Sequence, residues 1–270
     1  MLRVLKLAVL TILVLFFVGM FLLAAADFRE EFSKTLPLKA GDTFSLENVN
    51  GRVTVSTWKE NKVEIKAVKV ARDDEKDLKD VEIRVEESAG RVAVRAVWPK
   101  FRLHFNVHVL FDVKVPEGVI LKKVETVNGD VEAMGPFGSA ELGTTNGSVA
   151  ADGVKGRLDV STTNGSIKVT HQEGRLEAET TNGGIRLEQV VFKEGVRAET
   201  TNGSITLVLS SPADINANLV AETTNGHVSV DFPVTLQNLR QSHRRIEAKI
   251  GQGGPEISLE TTNGSITITK

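Results

Sequence analysis

The sequence predicts an all-β fold: a parallel β-helix or β-roll-like stack of strand–turn–strand coils, each about 18–20 residues long, preceded by an N-terminal β region. Three observations predict it. The first is a repeat. Thr-Thr-Asn-Gly occurs at residues 144–147, 162–165, 180–183, 200–203, 223–226 and 261–264. Degenerate copies lie upstream at Asn48-Val49-Asn50-Gly51 and Thr126-Val127-Asn128-Gly129. Successive repeat asparagines are 78, 18, 18, 18, 20, 23 and 38 residues apart. A period near 18 means one unit copied and stacked. The second is alternation. Leu158, Val160 and Thr162 alternate with polar residues before Asn164-Gly165, and Ile167 and Val169 alternate with polar residues after it. Period two on both sides of a corner is strand–turn–strand. The third is the corner itself. The pairs are Asn50-Gly51, Asn128-Gly129, Asn146-Gly147, Asn164-Gly165, Asn182-Gly183, Asn202-Gly203, Asn225-Gly226 and Asn263-Gly264. Asn and Gly accept positive φ at low cost, so the pair suits a sharp turn.

A lone Asn-Gly most often closes an antiparallel hairpin. A meander, however, does not need the same four residues at every second corner. A parallel coil does, because each corner lies above the last. Strands of successive coils then pair about 4.8 Å apart, and stacked asparagines hydrogen-bond from coil to coil. One coil cannot bury enough surface alone, so the array should fold as a block.

Taken in order, residues 1–26 form a targeting segment. Arg3 and Lys6 precede an apolar run, and Ala24-Ala25-Ala26 before Asp27 fits a small-residue cleavage site. The rival is an uncleaved N-terminal anchor, since 20 apolar residues span a bilayer. Both readings place the rest of the chain outside the cytoplasm, in the periplasm, at the surface or secreted. Residues 27–119 are the N-terminal β region. Phe44, Leu46, Val53 and Val55 repeat the coil register around Asn50. Strands are expected at 62–70, 81–85, 92–97 and 103–115, with the charged stretch 72–80 as a solvated connector. His104 and His108 invite a metal reading, but i and i+4 on a strand lie about 13 Å apart, so they are read as surface histidines.

Residues 120–270 are the array. Glu173-Gly174 and Lys193-Glu194-Gly195 are small loops that close coils opposite the Asn-Gly corner. The long interval before Asn263 holds an insertion at 231–260, in which 244–250 and 256–260 are expected to pair as a hairpin around 251–255 and to cover the end of the stack.

Composition excludes several functions. The chain has 270 residues, net charge −2 and no Cys. That balance gives no basis for nucleic-acid binding, and the missing Cys excludes disulfides, thiol chemistry and cysteine metal sites. No cofactor and no catalytic residue is indicated. One feature invites a ligand. Three residues before the repeat asparagines stand Glu47, Glu125, Gly143, Ser161, Glu179, Glu199, Glu222 and Glu260. If coils stack in sequence order, Glu179, Glu199 and Glu222 form an outward carboxylate ladder. Like charges so paired are mildly destabilising. Solvent and nearby Arg175, Arg186 and Arg197 would offset this, or else a divalent cation held by carboxylate oxygens.

LENVNGRVTVSTW at 46–58, the Thr-Thr-Asn-Gly array and IGQGGPEISLETTNGSI at 250–266 resemble a bacterial family of unknown function whose members are labelled adhesins or β-strand-repeat proteins. The resemblance covers nearly all of the chain after Ala26. It implies a β-helix-like or β-roll envelope protein with no established catalytic residues to carry over. The expected function is therefore that of a non-enzymatic exported envelope protein, adhesive, structural or ligand-presenting. Its partner would be an envelope polymer or a surface glycan or protein, and it would touch membrane only through residues 1–26 if these stay uncleaved. One alternative is a polysaccharide-active β-helix enzyme, which would need clustered carboxylates in one groove. Another is a self-assembling bactofilin-like scaffold, which would need open coil ends.

Overall fold

The computed structural model describes residues 27–72, 74–99, 106–209, 215–231 and 236–270. The targeting segment and His104 lie outside the described residues. Strands in chain order begin with β1 (Phe28–Pro37), β2 (Thr43–Glu47), β3 (Val53–Trp58) and β4 (Lys62–Ala71). A four-residue helix follows, α1 (Asp77–Asp80), then β5 (Glu82–Ser88), β6 (Arg91–Val97) and β7 (Val107–Pro116). The array supplies β8 (Ile120–Asn128) and β9 (Val131–Phe137), β10 (Ser139–Asn146) and β11 (Val149–Val154), and β12 (Leu158–Asn164) and β13 (Ile167–Thr170). It continues through β14 (Leu176–Asn182) and β15 (Ile185–Glu188), β16 (Val196–Asn202) and β17 (Ile205–Val208), and β18 (Ala217–Asn225) and β19 (Val228–Asp231). The chain ends with β20 (Leu236–Gln241), β21 (Arg245–Ile250), β22 (Glu256–Asn263) and β23 (Ile266–Thr269).

These strands form two sheets. In every Asn-Gly coil the strand before the corner joins a front sheet of 12 strands, and the strand after it joins a back sheet of 11. Neighbouring coils pair in parallel and in register: Leu158 opposes Leu176, Val160 opposes Ala178, Thr162 opposes Thr180 and Asn164 opposes Asn182. Alternation sends Leu158, Val160, Ile167 and Val169 inward, each at most 3% exposed. Size is traded between the sheets. Leu142 is matched by Ala151, Val160 by Val169, Ala178 by Leu187 and Ala198 by Leu207, all buried. These four coils thus bring similar core volumes, as even packing requires, whereas the last coil of the chain buries the larger pair Leu259 and Ile268. Buried side chains from Leu38 to Ile268 form one cluster. The architecture is the all-β parallel stack that the repeat predicts.

Three features depart from expectation. First, coils do not stack in sequence order. β22 lies between β16 and β18, and β23 lies between β17 and β19. The last coil of the chain is therefore the next-to-last of the stack. Between β17 and β18 the chain therefore skips one position of the stack, which β22 and β23 occupy. Second, the capping hairpin is β20 with β21, and not the pairing of 244–250 with 256–260. β21 runs antiparallel along the outer edge of β18, where it buries Ile246, Ala248 and Ile250, while β22 is drawn to the in-register edges of β16 and β18. Third, the N-terminal end carries an additional coil without Asn-Gly. β6 and β7 pair in parallel with β2 and β3. Antiparallel β5 then closes the front sheet, and β4 and β1 close the back one.

The 72–80 stretch is also less solvated than its charge suggests. α1 packs on β1 and β4, and its Leu78 is 3% exposed. The Lys69 ammonium donates to the Leu78 carbonyl at 3.1 Å and to Glu30 at 2.8 Å. Among the described residues no helix is long and apolar enough to cross a membrane.

Candidate functional site

The four residues of the repeat do four different jobs at one edge of the stack. The first Thr points inward. The Thr180 hydroxyl donates to the Gly165 carbonyl of the preceding coil at 3.0 Å, and Thr162 does the same to Gly147 at 2.9 Å. A buried carbonyl is thereby satisfied at each corner. The second Thr points out to solvent; Thr181 is exposed. The Asn carboxamides form a ladder. Asn164 donates to the Asn146 oxygen at 2.9 Å, and Asn182 donates to the Asn164 oxygen at 2.9 Å. The ladder runs unbroken from Asn50 through Asn128, Asn202 and Asn263 to Asn225.

Glycine is required by proximity. A Cβ on Gly165 would lie 1.8 Å from the Gly147 carbonyl oxygen, and one on Gly183 would lie 1.9 Å from that of Gly165. Only a residue without a side chain lets successive corners stack so closely. The expected reason for Asn, tolerance of positive φ, does not apply. Among the described residues the non-glycine residues with positive φ are His171, Gln189 and Asn238, none of them at an Asn-Gly corner. Asn is there for its ladder.

At the N-terminal end Asn48 takes the place of the buried Thr. It is 4% exposed, and its amide donates to the Val109 carbonyl at 2.9 Å and the Gly51 carbonyl at 3.2 Å. This joins the first Asn-Gly coil to the coil below it, which lacks the motif. On the opposite edge Gln172, fully buried, donates to the Gly156 carbonyl at 2.7 Å. The sequence marks Asn48 as part of a degenerate repeat but not as a bonding residue, and it does not single out Gln172; a polar side chain at an inward-facing position was the available signal.

The corner column supports the outer face of the front sheet. Glu179 and Glu199 are direct neighbours, as expected. Glu222 is not next to Glu199, because Glu260 stands between them. The row is therefore Glu179, Glu199, Glu260, Glu222. Beside it run the exposed Thr181, Thr201, Thr262 and Thr224, and the two rows line an open groove of about 610 Å³. Of the three arginines expected nearby, Arg197 pairs with Glu199, whereas Arg186 pairs with Glu188 on the back sheet. Arg245 of the capping hairpin holds Glu222, and Ser258 donates to Glu260 at 3.1 Å. Arg245 could not be assigned this role from sequence, because the docking of the hairpin was not legible.

Burial raises the Glu199 pKa; Arg197 opposes this, while the charges of Glu260, Glu179 and Glu177 add to it. The like-charge row is thus felt at its middle. Among the described residues no group of three or more His, Asp and Glu side chains is arranged to hold a metal ion. His108 lies half-buried on the back sheet, in an apolar groove with Leu110 and Lys66. Chemically, the acidic face offers hydrogen-bond acceptors and negative charge on a rigid lattice.

Several solved structures share similarity with this chain. One is a candidate cell adhesion protein from Clostridium sporogenes, 16% identical over 89% of this chain and 99% of that one, with a TM-score of 0.34. Another is a candidate adhesin from Bacteroides fragilis, 15% identical over 89% and 96%, with a TM-score of 0.35. A third is a candidate lipid binding protein from Parabacteroides distasonis, 12% identical over 89% and 97%, with a TM-score of 0.37. No curated protein matches the chain. The model of the Toastrack family, DUF4097, a family of unknown function, matches residues 14–269. With that match spanning nearly its whole length and a parallel stack of Asn-Gly coils beneath it, the chain belongs to the Toastrack DUF4097 family.

Proposed function

We propose that the chain is an exported, non-enzymatic protein of the cell envelope that presents the acidic face of its front sheet to an envelope polymer or surface glycan. One observation carries this reading: Glu179, Glu199, Glu260 and Glu222 occupy one position on four neighbouring strands, beside a parallel row of exposed threonines. Carboxylates and hydroxyls spaced about 4.8 Å apart suit a repeating polymer with amino or hydroxyl groups, because each unit meets the same partners. The ladder beneath keeps the lattice rigid, so little ordering entropy opposes binding. Export rests on the basic, apolar and alanine-rich stretch at 1–26.

The test is retention of residues 27–270 on isolated envelopes and on a glycan array. The double variant Glu179→Gln, Glu260→Gln should lose retention while keeping its circular dichroism spectrum. Equal retention of parent and variant would remove the acidic face from the function.

A further inference from the structure

Asn-Gly is the dipeptide most open to a particular self-reaction. The backbone nitrogen of Gly attacks the Asn side-chain carbonyl carbon and closes a five-membered imide. Water then opens the ring to aspartate or isoaspartate. Glycine favours the attack because no side chain shields its nitrogen. Hydrogen bonding opposes it in two ways, by occupying the Gly N–H and by pinning the carboxamide.

The stack imposes both restraints on its inner corners. Gly165 N–H donates to the Asn182 carbonyl at 2.9 Å, and Gly183 N–H donates to that of Asn202 at 2.9 Å. The same bond from each corner glycine to the next coil runs from Gly51 at 2.7 Å to Gly264 at 3.0 Å. The carboxamide of Asn164 both donates to Asn146 and accepts from Asn182.

Asn225 breaks the pattern. Because the last coil of the chain is inserted below it, its own coil is the last of the stack, with the capping hairpin beyond it. The hairpin flanks the corner, where Thr223 N–H donates to the Arg244 carbonyl at 2.9 Å and Val228 N–H to the His243 carbonyl at 3.0 Å, but neither bond occupies Gly226 N–H. No coil follows to accept from Gly226 N–H, which has no backbone acceptor among the described residues. The Asn225 amide donates to Asn263 at 2.9 Å, but among the described residues its oxygen receives no counterpart bond. Gly226 is exposed, whereas the other corner glycines are buried or half-buried.

We propose that Asn225 is the deamidation site of this fold, the one Asn-Gly corner whose reacting atoms the native stack leaves unprotected. The Gly226 nitrogen forms a bond to the Asn225 Cγ, loses its proton, and the side-chain amide departs as ammonia. Water adds to either carbonyl of the imide, so the net change is asparagine plus water to aspartate or isoaspartate plus ammonia. Only the last rung of the ladder is lost, since Asn225 donates to Asn263 and no other asparagine depends on it.

The test is incubation of the full chain at mildly alkaline pH, folded and in denaturant, with peptide mass mapping of all eight corners over time. In the folded chain Asn225 should convert about tenfold or more faster than any other corner, because the others must first open locally. In denaturant the eight rates should converge. Folded rates at Asn164 or Asn182 equal to that at Asn225 would overturn the proposal. So would the same Asn225 preference persisting in denaturant, because it would then come from local sequence and not from the stack.

Discussion

Thr180 and Thr181 are adjacent and chemically identical, yet the stack uses them in opposite ways. Thr180 is 6% exposed and satisfies the Gly165 carbonyl, while Thr181 faces solvent. Thr180→Val should therefore cost about 1–3 kcal/mol by leaving a buried acceptor unpaired, and Thr181→Val should stay within about 0.5 kcal/mol of the parent. Asn182→Val, which removes one bond to Asn164 and one from Asn202, should cost about 1–3 kcal/mol. Gly183→Ala should exceed all three, because its Cβ would meet backbone at 1.9 Å. Thermal and denaturant unfolding of the four variants checks the order; equal effects of the two threonine changes would contradict the assignment.

Glu199 supplies a pH dependence. Its folded pKa is raised, by burial first, with Arg197 opposing and Glu260 and Glu179 adding. A carboxyl group whose folded pKa exceeds its unfolded one is destabilising when ionised. Stability should then rise as pH falls through the folded pKa, and level off below the unfolded value of about 4.3. Glu199→Gln removes this term. The variant should be at least as stable as the parent at neutral pH, with the parent gaining on it as pH falls into the carboxylate range. Melting curves across that range test this. A clearly weaker variant at neutral pH would mean that the Arg197 pair outweighs the row.

At the scale of the element, the unit is one coil, and it should be removable. Deleting 148–165 rejoins Gly147 to Ser166 and restores the corner motif. β10 would then lead into β13, with β14 as the new neighbour of β10 and β9 as the new neighbour of β13. A folded but less stable protein is expected. Deleting nine residues from the same place should scramble inward and outward positions. Circular dichroism and limited proteolysis separate the outcomes, and equal tolerance of both deletions would sink the coil assignment.

Coil architecture was legible because alternation and the corner motif are local and repeated. Val160, Thr162 and Ile167 announce their faces within ten residues of each other. The role of Asn-Gly was legible only in part: the ladder follows from stacking, but the corner asparagines do not take positive φ. β6 and β7 escaped recognition as a coil because no Asn-Gly joins them.

At the scale of the molecule, stack order is a long-range competition that near-identical copies cannot encode locally. Residues 200–203, 223–226 and 261–264 carry the same four letters. β22 is the copy that lies on β16, while β21 occupies the far edge of β18. Two consequences hang on that order. Glu260, and not Glu222, adjoins Glu199, and Asn225 ends the ladder.

A chain without cysteine permits a direct measurement of the order. Strands one step apart bring paired Cα atoms to about 4.8 Å, within the span of a disulfide, whereas two steps give nearly double that, beyond the limit of about 7 Å. Three double variants are compared under mild oxidation: Glu199→Cys with Glu260→Cys, Glu222→Cys with Glu260→Cys, and Glu199→Cys with Glu222→Cys. The inserted-coil stack predicts intramolecular cross-links in the first two and none in the third. A cross-link in the third without one in the first would show that the coils follow sequence order, and would contradict the architecture described here.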